Sequence, residues 1–282
     1  MFLGGWVTCG RGSDGSENVS PSSSFIKNGK LSLASPRRRF FKEIFAGVGR
    51  LSKAFERQGW EVGCPIEAYP GGVYNEAHDV LIPAVAKALR AEAAAGWGYW
   101  HLGLVCSSFS RLNVNLNAGT RTQAAPLGDG TLAREVYGNR LVDFTVSLVR
   151  ILVSRGSWFS IENPTTSLVW SIPSIKKLRR LGGGVRTIRF CQCMYGVRFP
   201  DSGPCQRCKK DTTLLTNAPL SALAVMCDGN HEHAHCIGGC KTKAGWVRRS
   251  SLAGHYPTSL CTKWARAATL GYEAEKAEST GH

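Results

Sequence analysis

The sequence contains no run of about eighteen apolar residues, the length that crosses a bilayer as a helix, so a membrane span is not expected. Its opening, MFLGGWVTCG, has neither the basic start nor the apolar stretch of a secretory signal. The eleven cysteines therefore read as reduced thiols or metal ligands of an intracellular protein, not as a disulfide framework. Acidic side chains are scarce as well: 20 Asp and Glu stand against 35 Lys and Arg, a net charge of +15. Such an excess favours a polyanionic partner, because each neutralised phosphate releases counterions. Nucleic acid comes first and an acidic membrane surface second. A merely soluble basic protein is the plain alternative. No internal repeat is present.

What the 282 residues do contain is apolar content of 43%, enough for the core of one large domain, or one and a half. Residues 1–39 are rich in Gly, Ser and Asn and end in Arg37, Arg38 and Arg39, which reads as a disordered basic arm. Strand and helix patterns then alternate over 40–190. FKEIFA (41–46) is an apolar strand that runs into Gly47-Val48-Gly49, and RLSKAFERQ (50–58) sets Leu51, Ala54 and Phe55 on one helical face. WEVGCPIE (60–67) is a second strand, and 82–95 is a helix with Pro83 in its first turn. WHLGLV (100–105) is a buried strand ending at Cys106. A long helix carries Leu141, Phe144, Leu148 and Leu152, and WFSIE (158–162) is a further strand. This order predicts an α/β, Rossmann-like fold with a parallel sheet and right-handed crossovers. Ligands in such sheets gather beyond the carboxyl ends of the strands, where Gly47, Glu67, Cys106 and Glu162 all fall.

The remainder is read as a small Cys/His-rich extension over 191–270 and a polar tail over 271–282. Seven cysteines lie between Cys191 and Cys240. Cys205-x-x-Cys208 has the spacing of one corner of a tetrahedral zinc site, with Cys227 and His231 following. His233, His235, Cys236, Cys240 and the pair Cys191-x-Cys193 are further candidates, and ordinary reduced cysteines are the alternative. Residues 171–190 include Lys176, Lys177, Arg179 and Arg180 and no acidic residue, a surface suited to phosphates or simply a solvated charge run.

The glycine turn lets backbone approach a ligand closely at a helix N-terminus, and Glu67 at the end of the next strand can accept bonds from ribose hydroxyls. A dinucleotide fingerprint would place its third glycine at Ser52, a poor match. The segment EIFAGVGRLSKAFERQGWEV (43–62) instead resembles the first motif of cytosine-5 DNA methyltransferases, a Phe-x-Gly-x-Gly turn with an amphipathic helix and a glycine. The resemblance implies an S-adenosylmethionine-dependent methyltransferase domain in which Phe45, Gly47 and Gly49 hold the cofactor and Glu67 its ribose. It makes Asp79 a contact to the adenine amino group, although a capping role at Asp79 is an equal reading.

Carbon 5 of cytosine becomes nucleophilic when a thiolate adds at carbon 6 and an acid bonds ring nitrogen 3. In the family the thiol lies in Pro-Cys-x-x-Phe-Ser and the carboxylate in Glu-Asn; the matching segments here are Val105-Cys106-Ser107-Ser108-Phe109-Ser110 and Glu162-Asn163-Pro164. The resemblance therefore implies Cys106 as nucleophile and Glu162 as its partner. Val105 and Leu104 replace prolines, Ser107 replaces a glutamine, and Pro164 replaces a valine, as in a divergent phage- or transposon-like branch. The resemblance covers roughly residues 40–170; CMYG, LLTN and HYPTSLC match that branch only loosely. Read from sequence, the leading expectation is methyl transfer to cytosine in DNA, with RNA open. A catalytically degenerate nucleic-acid binder and a dinucleotide-dependent oxidoreductase are the alternatives.

Overall fold

A computed structural model describes residues 38–243 and 245–280. All but the last two residues of the expected basic arm lie outside that range. The chain forms β1 (Phe40–Ile44), α1 (Arg50–Arg57), β2 (Glu61–Val62), α2 (Pro83–Ala95), β3 (Tyr99–Leu102), α3 (Arg111–Leu116), α4 (Ala133–Ser154), β4 (Trp158–Pro164), α5 (Pro173–Leu178) and β5 (Arg186–Cys191). There follow β6 (Gln206–Cys208), β7 (Asp211–Thr216), β8 (Glu232–Ala234), β9 (Gly239–Thr242), β10 (Gly245–Arg248), α6 (Arg249–Ala253) and α7 (Thr258–Thr280). The fold is of the α/β, Rossmann-like class, with a small Cys/His-rich segment near its C-terminus.

Six strands form the main sheet in the order β2-β1-β3-β4-β7-β5. β1 to β4 are mutually parallel, as the alternation of strands and helices predicts. β7 enters antiparallel between β4 and β5, which the sequence pattern did not show. The boundary expected at residue 190 is therefore crossed: residues 211–216 of the presumed extension are a central strand of the main sheet. The second expected strand is strand only at Glu61–Val62, because Pro65 has no N–H to give a ladder; a single bridge from Ile66 to Ile44 keeps it extended up to Glu67.

Side-chain alternation along the strands sends residues to two faces. Trp100, Leu102, Phe159 and Ile161 pack with α2, α4 and α5 on one face. Phe41, Tyr99 and Trp158 pack with α1 and α7 on the other. α7 runs on through the expected polar tail as far as Thr280: its buried side, Leu260, Trp264 and Ala268, lies before residue 271, and within the described part of the tail only Tyr272 is buried. A separate small cluster, Phe199, Cys208, Ala234, Cys240 and Ala253, is the whole core of the Cys/His-rich segment.

Candidate active site

The strand order reverses between β1 and β3, since β2 lies to one side of β1 and β3 to the other. At such a switch point the loops leaving the two strands part and open a crevice. The register levels the strand ends: Ile44 pairs with Leu102, and Leu102 with Ile161. Phe45, Gly103 and Glu162 therefore stand at one height, just past the parallel ladder, while β4 continues against β7 to Pro164. A cavity of about 230 Å³ lies there, lined by the turn Phe45–Val48, the loop Gly103–Ser107, Glu162, Lys210 and Tyr256. Cys106 and Glu162, paired on sequence grounds, face the same cavity as Phe45 and Gly47.

The turn after β1 is held in the left-handed region at Phe45 (φ 60°), Gly47 (φ 56°) and Gly49 (φ 64°). A Cβ on Gly47 or Gly49 would meet nothing within 4 Å, so backbone conformation requires the glycines and the space beside them is open. At Phe45 the same conformation costs on the order of 1 kcal/mol. Glu67 closes the turn: Gly47 N–H donates to its Oε2 (2.8 Å) and Tyr69 N–H to its Oε1 (3.0 Å). Each carboxylate oxygen keeps a second lone pair for a further donor. Asp79 is engaged in local turn structure, accepting from Leu81 N–H (2.9 Å) and from Tyr74 O–H (3.0 Å), and does not line the cavity. Next to Glu67 and Asp79, the rings of Tyr69 and Tyr74 lie 5.3 Å apart and half exposed.

Cys106 opens the turn Ser107–Phe109 after β3. Asn163 holds this loop to β4 by donating from Nδ2 to Leu104 O (2.7 Å). Arg121, fully buried, holds it from the other side. Its guanidinium donates to Ser108 Oγ (3.3 Å), Glu135 O (2.8 Å) and Asn139 Oδ1 (2.8 Å) and stacks 3.9 Å above the Phe109 ring. The Asn- and Gly-rich segment from Arg111 to Gly130, which opens with α3, is thus pinned to the cysteine turn by Arg121.

Glu162 sits among three groups that sequence reading missed. Tyr256 O–H donates to its Oε2 (3.1 Å), and Lys210 Nζ stands 3.7 Å from Oε1. Oε1 is buried and has no hydrogen-bond partner among the described residues. Tyr256 in turn bonds His101 Nε2 (3.0 Å), His101 Nδ1 bonds Ser160 Oγ (2.8 Å), Ser160 bonds Tyr99 O–H (2.8 Å), and Trp264 Nε1 donates to Tyr99 (2.7 Å). An indole can only donate and a carboxylate only accept, so the chain has one consistent direction, from Trp264 to Glu162. In that direction His101 is neutral, accepts at Nδ1 and donates from Nε2; burial pushes its pKa down to about 3, in agreement.

Burial pushes the Cys106 thiol above its ordinary value, the Lys210 ammonium pulls it down, and the Glu162 carboxylate adds to the push. Lys210 is the nearby cation able to stabilise a Cys106 thiolate. It is fixed by donating to Ala253 O (3.0 Å) and lies over the Tyr256 ring at 5.7 Å. HYPTSL offered a faint pointer to Tyr256; nothing pointed to Lys210 or His101.

Lys176, Lys177, Arg179 and Arg180 are exposed on and just after α5 and do not line the cavity. β5 runs parallel to β4, so the chain through α5 leads back from the cavity edge toward the opposite edge, where β5 begins. The expected zinc set is not assembled. Cys205 precedes β6 at the surface and Cys208 ends it, turned into the small core with its Sγ 3.2 Å from that of Cys236. Cys227 and His231 instead cluster with Cys193 and His233.

Fold and cavity together define an α/β protein with a cavity at the switch point of its sheet. No family model matches the chain, and no curated protein does. Among solved structures it is similar to the crystal structure of the S. pombe Dnmt2 methyltransferase, with 12% identity and a TM-score of 0.38, covering 70% of this chain. The match spans 57% of that methyltransferase's chain.

Proposed function

We propose that the protein transfers a methyl group from S-adenosylmethionine to carbon 5 of cytosine in DNA. The observation that carries this reading is the shared cavity: a left-handed glycine turn, a cysteine, a lysine, and a buried glutamate with one oxygen that accepts no hydrogen bond from the described residues all open on it. The cofactor would supply an electrophilic methyl on a sulfonium. Three features suit its binding: the open faces of Gly47 and Gly49, the spare lone pairs of Glu67, and the exposed Tyr69 and Tyr74 rings. Asp79, committed to its turn, offers the adenine at most the remaining lone pairs of its carboxylate.

In this reading the Cys106 thiolate, stabilised by Lys210, adds to carbon 6 of a cytosine and pushes its electron pair to carbon 5. Carbon 5 would take the methyl group, the sulfonium leaving as a neutral thioether, and would then lose its proton to solvent water as elimination restores the thiolate. Glu162 would carry a proton on Oε1 and donate it to ring nitrogen 3 while Tyr256 holds Oε2, and would take the proton back on elimination. The base must leave the duplex stack, at a cost of a few kcal/mol. Two exposed basic surfaces are available to phosphates. One is Lys176, Lys177, Arg179 and Arg180. The other is the β9–β10 hairpin, where Lys241, Lys243 and Arg248 surround Trp246, 76% exposed and able to stack on a base. Zinc enters this reading as a structural ion outside the transfer cavity.

The test is transfer of labelled methyl groups to unmethylated duplex DNA and, in parallel, to RNA. Label on cytosine in DNA supports the reading; label on RNA alone moves the substrate. Tight cofactor binding with transfer to neither would leave a nucleic-acid binder on a methyltransferase-like fold.

A further inference from the structure

The geometry points to a structural zinc site formed by Cys193, Cys227, His231 and His233, which fixes the strand connection that carries Lys210. The candidate ligand atoms of these four residues all lie within 4.8 Å of one another. Cys227 Sγ is 3.7 Å from His231 Nε2 and 3.5 Å from His233 Nε2. Metal–sulfur and metal–nitrogen bonds of about 2.3 and 2.05 Å at the tetrahedral angle give a sulfur–nitrogen edge of about 3.6 Å. Both distances straddle that edge. Two sulfurs and two nitrogens complete a four-coordinate set with no open position, as in structural zinc sites.

The groups behind the ligands agree. Asp228 Oδ1 lies 3.5 Å from His231 Nδ1, the carboxylate-behind-imidazole arrangement that orients a metal-binding histidine through its far nitrogen. Gly229 N–H donates to Cys227 Sγ (3.4 Å), which suits a thiolate. The four ligands come from two places in the chain. Cys193 follows β5 in the turn Gln192–Tyr195, and the other three flank or lie in β8. The segment they join has a buried cluster of five side chains of which only Phe199 is large, little apolar area to hold it without another link.

The chain between those two places contains Lys210. Gln192 N–H, beside Cys193, donates to Lys210 O (2.9 Å), and Lys209 N–H donates to Ala234 O (2.9 Å), beside His233. The backbone around Lys210 is thus clamped between neighbours of two ligands, and its ammonium reaches Glu162. The inference does not depend on methyl transfer, because neither the ligands nor the clamp involves the cofactor or a base.

Elemental analysis of the full chain, purified without added metal, is expected to find about one zinc per chain. Cys227→Ser and His233→Ala should each lose it, while Cys205→Ser should keep it. Less than about a tenth of an equivalent in the wild type, or loss in Cys205→Ser with retention in Cys227→Ser, overturns the assignment. Should the ligand variants fail to fold, the wild type stripped by a chelator and refilled with cobalt(II) serves instead. Intense visible bands with a thiolate charge-transfer band support a tetrahedral sulfur and nitrogen shell, and the weak spectrum of octahedral cobalt refutes it. Stripping should also slow alkylation of the Cys106 peptide several-fold; an unchanged rate removes the link to Lys210.

Discussion

His101 gives the most quantitative handle on the site. Its imidazole has no exposure to solvent and is pushed by burial from 6.5 down to about 3. The unfolded chain takes up a proton near pH 6.5 that the folded chain refuses, so this contribution to stability is complete above 6.5 and is lost as pH falls toward about 3. At about pH 5 the unfolded imidazole sits about 1.5 units below its pKa, which at 1.36 kcal/mol per unit removes about 2 kcal/mol of stability. The ceiling near pH 3 is about 5 kcal/mol. Glu43 works the other way: burial pushes it up to about 7, so its stabilisation is full below 4.5 and fades as pH rises through 7. A difference between proteins isolates the histidine. Urea unfolding of wild type and His101→Gln at about pH 7.5 and about pH 5 should show the wild type losing about 2 kcal/mol more than the variant. Equal losses would refute a neutral His101 in the chain to Tyr256 and Glu162.

Lys210→Met should raise the Cys106 thiol further, because the ammonium is what pulls it down, and slow its alkylation by iodoacetamide at neutral pH. Mass spectrometry of the Cys106 peptide reads this, and an unchanged rate would remove Lys210 as the stabilising charge. Arg121→Ala removes a buried guanidinium with its bonds to the cysteine turn and should cost on the order of 3 kcal/mol in denaturant unfolding; a loss under about 1 kcal/mol would show that the turn holds without it. Tyr256→Phe should lower the rate of methyl transfer with little change in cofactor affinity by calorimetry, since the hydroxyl touches Glu162 and not the glycine turn.

Apolar periodicity made β1, α1, α2, β3, α4 and β4 legible, but not the short α3, along with the convergence of Gly47, Cys106 and Glu162, because those elements bury continuous faces. β7 was not legible: four of the six residues in DTTLLT are polar, and only its place between β4 and β5 buries its threonines. α7 looked like a tail at its end because the buried side there reduces to Tyr272 and a glycine. The missed half of the site is contributed over long separations. Lys210 and Tyr256 reach Glu162 through the antiparallel strand and the C-terminal helix, and no local spacing encodes such a contact. The same holds for Cys193, 34 positions before Cys227 in the chain yet beside it in the cluster, whereas the closely spaced Cys205 and Cys208 lie outside that cluster.

The central claim is that Cys106 attacks a cytosine in the cavity it shares with Glu162. Duplex DNA carrying 5-fluorocytosine at its cytosines tests it most directly, because fluorine cannot leave as a proton does and the covalent species stalls. With S-adenosylmethionine present, the expected result is a denaturant-stable protein–DNA adduct that Cys106→Ser abolishes while still binding the cofactor. An adduct that persists in Cys106→Ser, or none from wild-type protein saturated with cofactor, would contradict it.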